Sequence, residues 1–394
     1  MNKEELQKHK IVKVNTYKVR SQFPRLVGKN AFRNEHQYGD EFVVKEIFTD
    51  KGASGWGLAS GLFYHQEPEK DDAMILNKAV SEVFDPEIGI LDMDLSTFDF
   101  ALHDLAGKIL DIPCYKMFGN EGVGTVPVYD TLIYFDDISP DRNPGGIEKI
   151  IEECQFGYDY GYRAFKLKIG RAPMWMDWES GLKRDIDVTR AVHENFPDCK
   201  ILVDANDAYT VEKMKEYVTA VADCNLYWIE EPFRENEKDF RELREHLDKY
   251  SPETLIADGE TDPDMDLLID LYKKGLLGVF QMDIQGDFTL GHAFGLTQWR
   301  KVMPELRKIG ARISPHAWGL KLKTHYAAQF CAGYPGVAYV EGVTDTTEGV
   351  DFSGYKMING KMYLPEKPGW GMDFIWGMPI TGGDCESKTI CRQV

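Results

Sequence analysis

Short apolar runs recur through the middle of the chain, and segments of helix length separate many of them. The runs are rich in β-branched and aromatic residues, which favours strands, and the segments between them repeat their apolar positions at helical spacing. The eight predicted strands are Pro127–Phe135, Arg163–Ile169, Ile201–Ala205, Leu226–Glu230, Leu255–Asp258, Val279–Asp283, Arg312–His316 and Ala338–Glu341. The predicted helices include Ile147–Phe156, Val211–Asp223, Pro263–Lys274 and Gln298–Ile309. This alternation predicts an α/β fold with a (β/α)8-type barrel over residues 123–350.

The first 122 residues have a different pattern. Alternating positions predict strands over Ile11–Arg20 and Glu41–Thr49, and a glycine-containing turn followed by Gly55-Trp56-Gly57 indicates a small antiparallel sheet. From Asp72 to Lys116 the apolar residues recur at helical spacing. Residues 1–122 are therefore predicted to form an α+β capping domain.

Glycine and proline residues interrupt the pattern after Gly349. Residues 351–394 are predicted to pack back on the capping domain and complete it. The alternative architecture is an open, doubly wound parallel sheet. It is disfavoured because neither a G-x-G-x-x-G motif nor a phosphate-binding loop follows any predicted strand.

Composition narrows the class of protein. The 394 residues are 43% hydrophobic and can bury a large core, and the formal net charge of -19 argues against nucleic-acid and anionic membrane surfaces, which attract basic proteins. Seven cysteines at irregular spacings contain no C-x-x-C pair, so reduced thiols are expected instead of disulfides or a zinc site. The first ten residues are charged and lack an apolar signal region, and a cytoplasmic location is expected.

Charged residues stand at the carboxyl ends of seven successive predicted strands. In a barrel these ends meet at one mouth, and a charge at the end of an apolar strand needs a partner. The residues are Lys166-Leu167-Lys168, Asp204-Ala205-Asn206, Glu230-Glu231-Pro232, Asp258-Gly259-Glu260, Asp283, His316 and Glu341. The sequence therefore predicts one polar site to which several strands contribute.

Lysines two apart on a strand face the same side, so Lys166 and Lys168 can both project into the barrel mouth. A second pair, Lys321 and Lys323, falls at a predicted helix start, where a two-residue spacing points the side chains apart. We expect that second pair to be solvated.

Asp204, Glu230 and Glu260 follow three consecutive strands and can converge on one point. Three adjacent carboxylates would repel one another without a cation, and oxygen ligands with open positions suit Mg2+. The segment that begins at Asp204 is not an EF-hand loop, because position six is Tyr209 and position twelve is Lys215. One Mg2+ per site is therefore expected.

Asp283 and His316 end adjacent strands, and a carboxylate beside an imidazole fixes its tautomer and raises its basicity.

With these motifs in order, nearly the whole chain resembles the mandelate racemase branch of the enolase superfamily. The segment Asp99 to Lys108, followed by Ile112-Pro113, is similar to a helix of the family's capping domain. The resemblance implies that Asp204, Glu230 and Glu260 hold Mg2+ and that Lys166 binds the substrate carboxylate with it. It further implies that Lys168 and the Asp283–His316 pair act as acid–base groups on opposite faces of the α-carbon, that Glu341 stabilises an enediolate, and that Asn206 supports the site.

The family also implies the substrate class and the reaction. Abstraction of the α-proton of an acid sugar followed by loss of the β-hydroxyl, giving a 2-keto-3-deoxy sugar acid, is the preferred prediction. Racemisation or epimerisation through the same enediolate is an alternative, and Pro315 to Gly319 also resembles members that cycloisomerise sugar-acid lactones. A non-catalytic sugar-binding relative is the remote alternative. Substrate contacts are expected from Asn206, from Arg25, Lys29 and His36 of the polar opening loop, and from Trp318. A homo-oligomer is expected by analogy with the family.

Overall fold

The computed structural model describes residues 3–59, 68–119, 124–286 and 294–379. In chain order, the strands of these residues are β1 Ile11–Gln22, β2 Glu41–Thr49, β3 Ser54–Leu58, β4 Phe84–Asp85, β5 Gly89–Ile90, β6 Thr125–Ile133, β7 Ala164–Lys168, β8 Lys200–Asp204, β9 Trp228–Glu230, β10 Leu255–Asp258, β11 Val279–Phe280, β12 Val340–Gly342, β13 Thr346–Thr347, β14 Val350–Asp351, β15 Lys356–Ile358, β16 Lys361–Tyr363, β17 Asp373–Phe374 and β18 Met378–Pro379.

The helices of the described residues are α1 Lys3–Gln7, α2 Pro68–Ile75, α3 Val80–Val83, α4 Asp99–Ile109, α5 Tyr115–Phe118, α6 Ile147–Tyr160, α7 Trp178–Asn195, α8 Val211–Ala220, α9 Glu237–Tyr250, α10 Met265–Lys273, α11 Leu296–Lys308 and α12 Lys321–Ala332. Short 3-10 helices cover Met93–Phe98, Asp136–Ile138 and Ala222–Cys224. Within the described ranges, none of these helices combines the length and the apolar character that crossing a membrane requires.

The central sheet is a parallel barrel. Its strands pair in the order β11-β10-β9-β8-β7-β6, and β12 pairs with β6 from the other side. The predicted strand Arg312–His316 is present only as isolated parallel bridges, which join Ile313 to Phe280 and Val337 and join His316 to Asp283. These bridges close the ring, so the predicted (β/α)8-type barrel is confirmed.

Alternation along the strands separates the core from the site. On β7, Phe165 and Leu167 belong to the large apolar core under the helices, whereas Ala164 belongs to a small cluster with Leu202 and Trp228 inside the barrel. Lys166 and Lys168 share the inward face with Ala164 because side chains two apart point the same way. The inner apolar cluster thus lies along the same face as the charged residues.

Antiparallel pairing builds the capping domain around β1, β2 and β3, with β13 and β18 pairing with β1. Helix α4 lies directly on β3 at two glycines, where an added Cβ at Gly55 would stand 2.3 Å from the Leu105 nitrogen and one at Gly57 would stand 2.5 Å from the Phe100 Cβ. A side chain at either position would push the helix off the sheet. The predicted α+β character of this module is confirmed.

The predicted helical run from Asp72 to Lys116 is broken in the structure. Short helices alternate there with a two-stranded hairpin, β4 and β5, which has Pro86 in its turn and Gly89 at the start of β5. Proline removes a backbone donor and glycine has φ +109° here, so neither continues a helix. Only α4 remains a helix of ordinary length in the stretch Asp85 to Lys116.

The C-terminal segment contacts both parts of the molecule. Strand β16 pairs with barrel strand β6, while β18 pairs with β1 of the capping domain. Trp370 donates from its backbone nitrogen to Asp104 (2.9 Å) and from its indole to the Phe100 carbonyl (2.8 Å). Residues 380–394 lie outside the described residues, as does the predicted boundary at 122/123.

Several buried bonds fix the capping domain to the barrel. Thr297 of α11 donates to Asp99 of α4 from its backbone nitrogen (3.0 Å) and its hydroxyl (2.8 Å). Arg300, one turn further on, lies 2.9 Å from the imidazole of His103 and donates to the Pro86 carbonyl (2.7 Å).

The five described cysteines are all free and buried, as expected, and Cys385 and Cys391 lie outside the described residues.

Candidate active site

Strand register brings the predicted site residues level with one another. Lys168 is the register partner of Asp204, and Asp204 is the partner of Glu230. Glu260 follows two residues after the end of β10, and the bridge between Asp283 and His316 continues the same end of the barrel. Parallel pairing therefore places these residues at the same end of the barrel.

Lys166 lies at the centre of this group. Its ammonium is 2.6 Å from Glu230, 3.0 Å from Glu341 and 3.3 Å from Asp204. Burial alone lowers the pKa of Lys166, but the carboxylates of Glu230 and Glu341 outweigh it and hold the pKa well above its usual range. Lys166 is thus a fixed positive charge at the base of the site.

Lys168 lies two residues further along β7, on the same face as Lys166. Its ammonium is 2.5 Å from Asp204 and donates to the Asn206 side-chain oxygen at 3.0 Å. Burial and the charge of Lys166 lower the pKa of Lys168, and Asp204 and Tyr134 raise it by more, so the pKa lies above its usual value. In the structure the contact with Asp204 favours the ammonium.

Asp204, Glu230 and Glu260 can hold a metal ion. Each offers one carboxylate oxygen, and the three atoms lie within 4.8 Å of one another. Burial raises the pKa of Glu230 to about 8 and holds the pKa of Glu260 well above its usual range, with the charge of Glu231 adding to it. Burial also raises the pKa of Asp204, but Lys168 and Lys166 lower it by more, so Asp204 stays ionised. A divalent cation bound to these three hard oxygen donors would relieve the cost of ionising Glu230 and Glu260 beside it.

His316 and Asp283 form the predicted pair. The imidazole Nδ1 is 2.6 Å from Asp283 Oδ2, and because a carboxylate only accepts, Nδ1 carries the proton. The opposite nitrogen, Nε2, is 3.2 Å from Glu260. Asp283 and Glu341 do raise the pKa of His316, but burial outweighs them and lowers it to about 4. The predicted effect of Asp283 on the basicity of His316 is present, but burial is the larger effect, and the resting imidazole is neutral.

Glu341 closes the ring of acids. It accepts from the Thr131 hydroxyl (2.7 Å) and from the Ala317 backbone nitrogen (2.5 Å). Burial raises the pKa of Glu341, and Lys166 and His316 lower it by more, so the net value is about 2. Glu341 is thus an anion held rigidly between β6 and the loop after His316.

Lys323 corrects the expectation that the second lysine pair is solvated. Its side chain is buried, and its ammonium donates to Asp283 Oδ2 at 2.7 Å. Lys321, two residues earlier, points away and lies over the ring of Phe352. The spacing does separate the two side chains, but α12 is buried along nearly its whole length, so one of them faces the site.

A cavity of about 710 Å³ lies above these residues. Its lining includes Lys168, Asn206, Glu260, Asp283, His316, Lys323 and Glu341. This volume falls in the range of small-molecule sites, roughly 300–1,000 Å³. The cavity is therefore large enough for a substrate of sugar size.

The capping-domain loop contributes only some of its predicted residues. His36 and Trp318 line the cavity and pack edge to face, with ring centroids 4.7 Å apart. Arg25 and Lys29 are not among the described lining residues. Arg25 donates to the Leu132 carbonyl (2.7 Å), and the ammonium of Lys29 lies over the ring of Trp175.

The sequence reasoning did not assign several lining residues. Tyr134 stands beside the ammonium of Lys168, with the ring centroid 5.4 Å away. Asp207 and Glu231 have positive φ angles of 60° and 40°, which turn the chain sharply at the ends of their strands. The adjacent pair Glu230-Glu231 was a usable signal for Glu231. The other lining residues outside the predicted set include Asn30, Phe32, Gln285 and Leu320.

Glu153 on α6 is buried beside Arg25, with Arg25 Nε 3.3 Å from Oε1. Burial raises the pKa of Glu153 to about 8 from an ordinary 4.5. The proton that the folded protein retains contributes stability that is fully present below pH 4.5 and is lost as the pH rises through 8. Replacing Glu153 with glutamine should therefore raise the Tm relative to wild type more at about pH 9 than at about pH 5.

The control for this measurement is Glu148→Gln, a change at an exposed position of the same helix. Thermal unfolding of the three proteins across the pH range gives the comparison. A Tm difference for Glu153→Gln that is as independent of pH as the difference for Glu148→Gln would contradict the prediction.

Comparison with known proteins gives the family. A sequence profile described as Enolase C-terminal domain-like matches residues 149–376. Galacturonate dehydratase from Geobacillus sp., solved with D-galacturonate and 5-keto-4-deoxy-D-galacturonate, has a TM-score of 0.83 at 30% identity and covers 93% of this chain and 95% of that chain. A mandelate racemase/muconate lactonizing protein from Geobacillus sp. Y412MC10, solved with magnesium/tartrate, has a TM-score of 0.84 at 30% identity and 93% coverage of both chains.

A further relative is the D-galactarolactone cycloisomerase of Agrobacterium fabrum. It is 25% identical over 364 residues, which are 84% of this chain and 88% of that protein. The profile spans more than half of the chain, and the structural matches extend over both the capping domain and the barrel. The chain therefore belongs to the enolase superfamily and to its mandelate racemase-like members.

Proposed function

We propose that this protein is a Mg2+-dependent acid-sugar dehydratase. The observation that carries the proposal is the placement of two acid–base groups beside one set of metal ligands. Lys168 contacts Asp204 at 2.5 Å, and His316 contacts Glu260 at 3.2 Å. These two carboxylates, with Glu230, are the proposed Mg2+ ligands.

The residues of this chain would divide the first step among them. The substrate carboxylate would bind beside Lys166, whose raised pKa keeps it cationic. Neutral Lys168 would take the α-proton, and the electron pair of the C–H bond would form the enediolate. Bound Mg2+ would stabilise the negative charge that builds on the substrate carboxylate. Such a cation would also offset the charge of Asp204, which holds Lys168 protonated in the structure.

Elimination would complete the reaction. The enediolate electrons would move to form a double bond between the α- and β-carbons as the β-carbon–oxygen bond breaks. His316, which is neutral at rest, would take up a proton from solvent and deliver it to the departing hydroxyl, which leaves as water. The resulting enol would tautomerise to a 2-keto-3-deoxy acid. Asp283 would orient the imidazole throughout, because its 2.6 Å hydrogen bond fixes the ring.

Lactone cycloisomerisation is the second candidate. A protein described as a D-galactarolactone cycloisomerase matches 84% of this chain at 25% identity. Its first step would use the same α-proton abstraction, so the same residues serve either reaction. Racemisation or epimerisation would require only that His316 return a proton to the opposite face.

Turnover of an acid-sugar library with Mg2+ tests the proposal. We expect 2-keto-3-deoxy products, detected as their semicarbazones, together with incorporation of deuterium at the α-carbon of the recovered substrate in D2O, measured by NMR. Deuterium exchange without a keto product would favour racemisation or epimerisation, and loss of lactone signal without dehydration would favour cycloisomerisation. The absence of exchange and of product across the library would contradict an enzymatic role and favour sugar binding without turnover.

A further inference from the structure

Lys323 places a second ammonium group on the cavity wall. It is the third residue of α12, which begins shortly after the loop that carries His316 and Trp318. Its side chain is 9% exposed and lines the cavity together with these two residues. Lys168 lines the same cavity from β7, and the two lysines contact different carboxylates, Asp204 and Asp283.

Asp283 is already held without Lys323. Its Oδ1 accepts from the backbone nitrogens of Gln285 (2.6 Å) and Gly286 (2.9 Å). Its Oδ2 accepts from His316 at 2.6 Å, in addition to Lys323. Three other donors therefore orient this carboxylate, and a purely structural role for the lysine is poorly supported.

The ammonium of Lys323 has capacity beyond this contact. An ammonium group carries three N–H donors, and Asp283 accepts one of them. Within the described ranges, the ammonium of Lys323 contacts no acceptor other than Asp283. Because Lys323 lines the cavity, its other two N–H groups can donate to a ligand bound there.

The charge around Lys323 decides what kind of ligand group fits. Asp283 lies 2.7 Å away and offsets the charge of the lysine. A second substrate carboxylate would gain little from a pair whose charges cancel. A hydroxyl group needs no net charge, and a charge-assisted bond from an ammonium is stronger than a neutral one.

We propose that Lys323 is a substrate-binding residue that donates a hydrogen bond to a hydroxyl group on the His316 side of the α-carbon. It would thereby select polyhydroxy acids over their deoxy counterparts. This inference rests on the proposed function, because the bound carboxylate near Lys166 sets which part of the substrate reaches Lys323.

Binding of tartrate and malate in the presence of Mg2+ tests it, since malate lacks one of the two hydroxyl groups of tartrate. Isothermal titration calorimetry gives both Kd values. We expect wild type to prefer a tartrate isomer to malate, and Lys323→Met to weaken tartrate binding by roughly 10-fold, the loss of one charge-assisted hydrogen bond, while malate binding changes by less than about 2-fold. Lys323→Arg should retain part of the preference.

Lys321→Met is the matched control, because Lys321 lies two residues earlier on α12 and contacts Phe352 instead of the cavity. It should leave both Kd values unchanged. Mg2+ affinity and Tm show that each variant is folded, and Lys323→Gln replaces Lys323→Met if the latter does not fold.

Equal losses for tartrate and malate in Lys323→Met would overturn the inference and leave the proposed function standing, as would equal affinity of wild type for the two acids. Failure of wild type to bind any hydroxy acid with Mg2+ would overturn the proposed function and this inference with it.

Discussion

Replacing Lys168 with methionine should slow α-proton exchange and keto-acid formation together. Methionine keeps much of the length of the side chain but cannot accept a proton. The loss in kcat should be roughly 100- to 10,000-fold, which is the usual contribution of a positioned general base. The measurements are deuterium incorporation by NMR and product formation with the best substrate from the acid-sugar library.

His316→Asn gives the complementary result. If His316 acts as the acid that protonates the leaving hydroxyl, its loss should stop keto-acid formation while Lys168 still exchanges the α-proton. Lys200→Met, at the exposed start of β8, is the control for loss of a lysine from the barrel and should leave both rates unchanged. Retention of exchange in Lys168→Met would mean that another group removes the proton.

Glu260→Gln should remove tight Mg2+ binding. The amide keeps the shape of the side chain and one oxygen but loses the negative charge. Loss of residues that only support metal ligands costs about 10- to 100-fold in affinity, so loss of a ligand charge should cost at least about 100-fold. Calorimetric titration with Mg2+ measures it, and the rise in Tm that Mg2+ produces in wild type should largely disappear.

The same variant should have the opposite effect without Mg2+. Burial and the charge of Glu231 oppose ionisation of Glu260, so a neutral amide relieves a cost that the metal-free protein carries. With EDTA, Glu260→Gln should therefore have a Tm equal to or above that of wild type. Glu253→Gln, exposed just before the opposite end of the same strand, is the control. Wild-type Mg2+ affinity in Glu260→Gln would contradict the proposed set of metal ligands.

The barrel was predictable from the sequence because the alternation of strands and helices, together with parallel strand pairing, allows few architectures. Leu255–Asp258 was predicted with the bounds that the structure has. Charged residues at successive strand ends had to meet, since parallel strands share one carboxyl edge. Arg312–His316 differs because only isolated bridges form there, although its place in the ring is the predicted one.

Side-chain direction outside the strands was not predictable in the same way. The spacing of Lys321 and Lys323 fixes only that they diverge by roughly 200° around a helix axis. Which of them faces inward depends on how α12 packs. The polar loop has no periodicity at all, so Arg25 and His36 were equivalent in the sequence, whereas in the structure only His36 lines the cavity.

The pKa of His316 needed the structure for a different reason. A neighbouring carboxylate and burial act in opposite directions on an imidazole. The sequence reveals the first, because Asp283 ends the adjacent strand. The extent of burial depends on the capping domain, whose loop covers the mouth with residues such as His36.

The pairing of β1 with β13 and β18 has a consequence for synthesis on the ribosome. Residues 11–22 are made before the barrel, whereas their partners at 346–347 and 378–379 are made after it. Until those partners emerge, β1 keeps an unpaired backbone edge, which in a nascent chain is a site for mispairing. The barrel strands, by contrast, find most of their neighbours in order of translation. The sheet of the capping domain is therefore completed only after the barrel has been made.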